Sequence, residues 1–170
     1  MLIVLITTAQ SASAEAGARA AIEAEYHRVC EAASLKFIDG ILLCRSPLFK
    51  ELSTIGQPQD LVQERKNMQQ LFSAALTVDE TIQVLSFSQK DAHHASCRVQ
   101  DVLDVLSLDP ETREPVRVIV ASTAQDDWVG DGSGWQEQCR RIIDQRRRQA
   151  AAPVAAPARK ATAVPPSAGQ

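Results

Sequence analysis

The stretch His94-Ala-Ser-Cys-Arg-Val-Gln-Asp-Val-Leu-Asp-Val-Leu-Ser107 decides the kind of fold this chain adopts. Successive side chains of a strand point to opposite faces. Ala95, Cys97, Val99, Asp101, Leu103 and Val105 therefore share one face, and Ser96, Arg98, Gln100, Val102, Asp104 and Leu106 the other. The first set is apolar apart from one acid, so it predicts a long strand laid against a core. A one-residue slip would expose Cys97, Val99, Leu103 and Val105 together, which pins the register.

The same alternation continues on both sides. Strands are expected at 81–88, 94–107, 116–129 and 135–144. Lys90-Asp91 mark the first turn, Asp109 to Pro115 form a longer loop, and Gly130-Asp-Gly-Ser-Gly134 form a hairpin turn with glycines for positive φ. Before Leu76 the period is helical. Residues 16–35 are Ala-rich and free of Pro, with Ile22, Tyr26, Val29, Cys30 and Ala33 recurring at spacings of three and four. A short helix is expected from Asp39, its N-cap, to Cys44, stopped by Pro47. The stretch Ser53 to Gln59 reads as a loop from its Gly and Pro. A third helix over 60–76 can be capped by Asp60, with Leu61, Met68, Leu71, Phe72 and Ala75 on one side. Helices followed by an antiparallel meander predict an α+β domain with the helices on one face of the sheet.

The chain has 170 residues, enough for one domain with its own core. Its charge is uneven. Residues 146–170 carry Arg146, Arg147, Arg148, Arg159 and Lys160 and no acid, which leaves −8 for residues 1–145 out of a total of −3. An acidic body argues against nucleic-acid binding, because phosphate contacts need clustered Lys and Arg. At the start, Met1-Leu-Ile-Val-Leu-Ile6 runs into small residues, and Ala12 and Ala14 match the A-x-A pattern of signal-peptide cleavage. This predicts a signal peptide over 1–14 and a periplasmic or secreted protein; without it the protein would be cytoplasmic. No run reaches the roughly 18 apolar residues of a membrane-spanning helix. Residues 146–170, Ala- and Pro-rich with nothing large to bury, read as a disordered basic tail. The folded unit is then 16–145.

Several residues at the joints of this order resemble the nuclear-transport-factor-2-like superfamily, which includes ketosteroid isomerase and SnoaL-type cyclases. They are Tyr26 in the first helix, Phe37-Ile-Asp-Gly-Ile41 and Ser46-Pro-Leu-Phe49 at the joint, and Asp127-Trp-Val-Gly-Asp-Gly-Ser-Gly-Trp135 late in the chain. Within the superfamily the chain looks most similar to small exported bacterial members of unassigned function. The resemblance implies a cone: N-terminal helices packed in the concave face of a strongly curved antiparallel sheet, with a pocket between them. It also implies that Tyr26 stands where the isomerase has its oxyanion tyrosine. The isomerase's general-base carboxylate does not carry over, since the matching place is near Ser53, and serine cannot accept a proton as a carboxylate does.

Chemistry is expected from a few residues. Asp101 sits among apolar neighbours on the inward face, where desolvation raises a carboxyl pKa. It reads either as a pocket acid or base, or as the ion-pair partner of Arg117 or Arg141. Asp126 shares parity with Val116, Val118, Val120 and Trp128 and would also face inward, with turn-end solvation as the other reading. Tyr26 and His27 complete the set of catalytic candidates. The predicted pocket lining is Tyr26, Cys30, Met68, Phe72, Val99, Asp101, Leu103 and Trp128. No metal site is expected: His93 and His94 point to opposite faces, and the four cysteines contain no C-x-x-C. No cofactor is expected either. Cys30 and Cys44 flank the helix joint and read as a disulfide or as two buried thiols. Cys97 and Cys139, on strands two apart, would be about 10 Å from one another, too far to bridge. Two functions follow. One is a binding or interaction module with an apolar pocket for a small hydrophobic ligand, dimeric through Val102, Leu106, Ile119 and Ala121 on the outer sheet face. The other is a SnoaL- or isomerase-type enzyme using a pocket Asp as acid or base.

Overall fold

A computed structural model describes residues 3–54 and 57–151. Helix α1 spans Ile3–Ser34 and α2 Ile38–Leu42; strands β1 (Arg45–Leu52) and β2 (Gln59–Asp60) precede helix α3 (Leu61–Ala74). Four long strands follow: β3 (Ala75–Gln89), β4 (His94–Leu108), β5 (Pro115–Gly130) and β6 (Trp135–Ala151). They form one sheet in the order β2-β1-β6-β5-β4-β3, antiparallel except where β1 pairs with β6. The helices pack on one face of this open sheet, as the α+β cone requires. Among the described residues no helix is long and apolar enough to cross a membrane.

The alternation of β4 holds. Ala95, Cys97, Val99 and Val105 are buried, and Asp101 and Leu103 on the same face are half-buried. They close two apolar clusters. One gathers Ile22 and Tyr26 of α1 with Cys97, Val99, Ala124 and Trp128. The other gathers Val29, Ala32 and Ala33 of α1 with Ile41, Val78 and Val105, and Met68, Leu71 and Phe72 of α3 pack against it. Asp60 caps α3, its Oδ1 accepting from the backbone N–H of Val62 and Gln63 at 3.0 Å each. In the β5–β6 turn Gly132 has φ +88°, a conformation open to glycine.

Several features differ from the sequence reading. Helix α1 begins at Ile3, so the predicted cleavage point behind Ala14 falls within it; its first buried side chain among those described is Ala18. Asp39 does not cap α2; it lies in the first turn and pairs with Arg65 at 2.7 Å. Where Pro47 was expected only to stop a helix, Arg45–Leu52 form a strand, and the β1–β6 register is broken between Arg45 and Lys50. Proline has no N–H for the ladder, so it fits in that gap. Finally, β6 runs to Ala151, and residues 146–151 pair with Val116 to Ala121 of β5. The predicted disordered tail thus loses its first six residues to the sheet; residues 152–170 lie outside the described part.

Candidate functional site

A cavity of about 230 Å³ lies between the sheet and the helices. Every layer contributes to it. β3 supplies Glu80, β4 Asp101 and Leu103, β5 Val120 and Ser122, and β6 Arg140 and Ile142; β1 supplies Arg45 and Glu51, and α3 Glu64, Met68 and Leu71. Gln59, Asn67 and Gln145 complete its polar edge. The wall therefore mixes aliphatic groups with acids and guanidinium groups.

The charged side is built on two arginines, 7% and 4% exposed, at Arg45 and Arg140. Arg140 lies 3.0 Å from Oδ2 of Asp101 and 3.6 Å from Oδ1 of Asp126. Behind it, the fully buried Asp126 accepts a 2.7 Å hydrogen bond from the Tyr26 hydroxyl. That hydroxyl in turn accepts from Nε1 of Trp128 at 3.1 Å, and the two rings meet edge to face. Arg45 is held by the fully buried Glu137, lies 3.3 Å from Glu64, and stacks 4.6 Å over the ring of Phe49. Buried charges persist only when paired in this way.

Three carboxyl groups in the cavity are perturbed. Burial, and then the charge of Asp101, push Glu80 up to about 7. Burial also raises Asp101, opposed by Arg140 and reinforced by Asp126. Glu80 pairs across the sheet with Leu103, and Ile82 with Asp101, so the two acids are diagonal neighbours on one face. Glu51 is raised as well, by burial. The phenol of Tyr26 is driven far up by burial and by Asp126, so it stays protonated as a donor.

Of the residues predicted to line the pocket, the structure brings Met68, Asp101 and Leu103 to the cavity. Tyr26, Val99 and Trp128 belong to the core cluster behind it, and Phe72 packs on the other cluster. Cys30 is half-buried and unbonded, its thiol raised to about 11 by burial; Cys44 is buried and unbonded, its Sγ donating to the Ile41 carbonyl at 3.1 Å. Asp126 faces inward as its parity predicted, yet it is sealed beneath Tyr26. His27 is exposed and borders, with Tyr26, a separate surface groove between α1 and β3. His93 and His94 are exposed turn residues, with Nδ1 of His93 at 2.9 Å from the Gly130 carbonyl and Nδ1 of His94 at 2.9 Å from Asp91. Among the described residues no group of His, Cys, Asp and Glu could hold a metal. Val102, Leu106, Ile119 and Ala121 on the outer face are half-buried in the single chain.

The partner of Asp101 is Arg140; Arg117 pairs with Asp104 instead, and Arg141 is exposed. A bulge explains why alternation missed Arg140. Trp128 pairs with Glu137 and Asp127 with Cys139, so Gln138 has no opposite residue. That extra residue buries both Glu137 and Arg140 and turns Cys139, expected inside, to the half-buried side. Glu80 was legible in principle. It shares parity with the inward Val78, Ile82 and Val84, but the strand was expected to begin only at 81.

No protein-family model matches the sequence, and no curated protein matches it. Solved structures do. A scytalone dehydratase-like protein of Novosphingobium aromaticivorans superposes with a TM-score of 0.66 at 10% identity, over 85% of this chain and 94% of that one. A hexachlorocyclohexane dehydrochlorinase, LinA type 2, gives 0.64 at 9% identity, over 85% and 97%. A ketosteroid isomerase-like protein of Erwinia carotovora atroseptica gives 0.53 at 14% identity, over 74% and 95%. Likeness at these identities speaks to the fold. This chain has the fold of the nuclear-transport-factor-2-like superfamily.

Proposed function

We propose that the cavity receives a small molecule and that Glu80, with Asp101 beside it, moves a proton on that molecule, as in an isomerase or a lyase. The carrying observation is the pair of carboxyl groups on neighbouring strands, one of them raised to about 7 inside a half-enclosed cavity. A general base works best with a pKa near the operating pH. Arg140 opposes the rise that burial gives Asp101, while burial and the charge of Asp101 lift Glu80 to about 7 and leave it a base above neutrality. Arg140 lies against Asp126, which Tyr26 holds, so the pair sits on rigid strands rather than on a loop. A simple binding module would have a pocket filled by side chains or without converging polar groups, and the cavity fits that description less well. Its volume lies below the roughly 300–1,000 Å³ of drug-sized ligand pockets, which points to a compact substrate. The names of three fold neighbours, a dehydratase-like protein, an isomerase-like protein and a dehydrochlorinase, describe eliminations and an isomerisation. That agreement supports the reaction class by analogy only.

Ring opening of 5-nitrobenzisoxazole tests the base directly, since loss of its one activated C–H proton breaks the N–O bond and releases a coloured phenolate. Turnover should rise with pH through about 7, following Glu80. Glu80→Gln, close in shape, should lower it by about tenfold or more, a typical share for general-base catalysis being ~10²–10⁴. Equal rates in the wild type and a folded Glu80→Gln variant would overturn the reading.

A further inference from the structure

The arginines on the cavity wall are engaged, Arg140 with Asp101 at 3.0 Å, and Arg45 with Glu64 at 3.3 Å and with the buried Glu137 behind it. The amides at the rim are engaged too, Asn67 donating to Gln59 at 2.7 Å and accepting from Gln63 at 2.9 Å. One deeply set neutral group stands outside these pairings. Ser122 of β5 lines the cavity and is only 8% exposed, and its side chain shares the inward parity of Ala124, Asp126 and Trp128, all buried. Its hydroxyl makes no hydrogen bond among the described residues. The sealed polar atoms without a partner all belong to charged residues: Arg45, Glu64, Asp101, Asp126, Glu137 and Arg140. Oγ of Ser122 is not one of them, so it keeps open surface, and its face of the sheet opens onto the cavity. A buried hydroxyl without a partner costs free energy, and a bound acceptor relieves that cost.

We propose that Ser122 is the group by which this pocket recognises its ligand, and that the ligand is a compact uncharged molecule whose oxygen accepts a hydrogen bond from the Ser122 hydroxyl. Its placement supports this. Ser122 pairs across the sheet with Asp101 of β4 and with Gln145 of β6, and Gln145 too lines the cavity. The next rung on the same face holds Val120 and Leu103, with Glu80 at its β3 end. An oxygen on Ser122 therefore lays the ligand's apolar body over Val120 and Leu103, with its far side towards Glu80. Two strand spacings and one rung separate Ser122 from Glu80, roughly 12 Å between backbones. A hydrogen bond, one six-membered ring and a contact with the carboxyl together cover that distance. A hydrocarbon would leave the hydroxyl unpaired, and an anion would face Glu51, Glu80 and Asp101 with both arginines already held. An ammonium brings donors only and would leave the hydroxyl proton without an acceptor. The inference rests on the reading of this cavity as a small-molecule site, but not on proton transfer there.

Isothermal titration of the full chain with cyclohexanone and with methylenecyclohexane, which carries CH2 in place of the oxygen, tests it. Ser122→Ala should lower the affinity for cyclohexanone by about fivefold and leave that for methylenecyclohexane within about twofold, since one hydrogen bond is lost in the first complex alone. The same variant should melt no lower than the wild type, because the hydroxyl has no partner in the protein to lose. No binding of cyclohexanone, or a ratio of the two affinities unchanged by Ser122→Ala, would overturn the proposal. A variant that melts lower or fails to fold would overturn it as well, by assigning the hydroxyl to a neighbour such as Asp101. Benzisoxazole ring opening keeps this apart from the proton-transfer reading. If Glu80→Gln abolishes the opening while Ser122→Ala leaves the ratio unchanged, only the role of Ser122 falls. If the ratio changes as expected while Glu80→Gln opens the ring at the wild-type rate, only the proton transfer falls.

Discussion

At the scale of single residues, the site is a chain of dependencies that ends in the core. Trp128 donates to Tyr26, Tyr26 to Asp126, and Asp126 holds Arg140, which holds Asp101 at the cavity. Asp101 was legible because an acid interrupts an otherwise apolar face. Its partner was not, because one bulge residue, Gln138, changes which β6 side chains face inward. The chain of contacts ranks two substitutions. Asp126→Asn removes the fully buried charge that both Tyr26 and Arg140 meet and leaves Arg140 only Asp101, and losing one partner of a buried pair typically costs about 3–5 kcal/mol. Asp101→Asn leaves Arg140 its second carboxylate and should cost less, on the order of 1–2 kcal/mol. Denaturant unfolding of both variants checks the order; an Asp101→Asn variant less stable than Asp126→Asn would refute it.

At the scale of elements, the ends of strands were the least legible part. The Arg-rich run at 146–148 looks like the start of a solvated tail, because none of its residues has anything apolar to bury. Backbone pairing supplies a reason that composition does not show. Arg146, Arg147 and Arg148 sit opposite Ala121, Val120 and Ile119 and complete the ladder of a strand, with their side chains in solvent. A chain ending at Ala151 should therefore melt like the full chain, its missing part being the Ala/Pro-rich stretch. A chain ending at Gln145 strips β5 of six paired residues and should melt several degrees lower, at roughly 3–5 °C for each kcal/mol lost. Scanning calorimetry on the two truncations checks this, and identical midpoints would show the end of β6 to be dispensable. Strand β1 was missed for a related reason. Pro47 argues against a strand locally, yet the broken register around it lets Arg45 and Phe49 reach the interior.

For the whole molecule, the buried acids set how stability depends on pH. Glu80 is raised in the folded state from an ordinary 4.5 to about 7, so folding favours its protonated form. That contribution is complete below about 4.5 and is lost as pH climbs towards 7; Asp101 and Glu51, also raised, act in the same direction. Acids such as the half-buried Asp104, lowered by Arg117, work in the opposite sense, and their support disappears only on the acid side of the ordinary range. Stability should thus peak on the acid side of neutrality and fall on the order of 2 kcal/mol between pH 5 and pH 7.5. Glu80→Gln should flatten most of that slope in a series of melts, and a slope unchanged by the variant would count against a raised Glu80. What the sequence determined by itself was local and periodic: three helices, four long strands, the inward face of β4, the cap at Asp60, and joint residues that resemble one superfamily. These follow from side-chain spacing and turn chemistry, which neighbouring residues carry among themselves. Only the tertiary structure decided which charges share the cavity. Arg45, Glu80, Asp101 and Arg140 come from four different strands, and their meeting depends on strand order, a parallel pairing and one bulge, none of which is written in the spacing of any single segment.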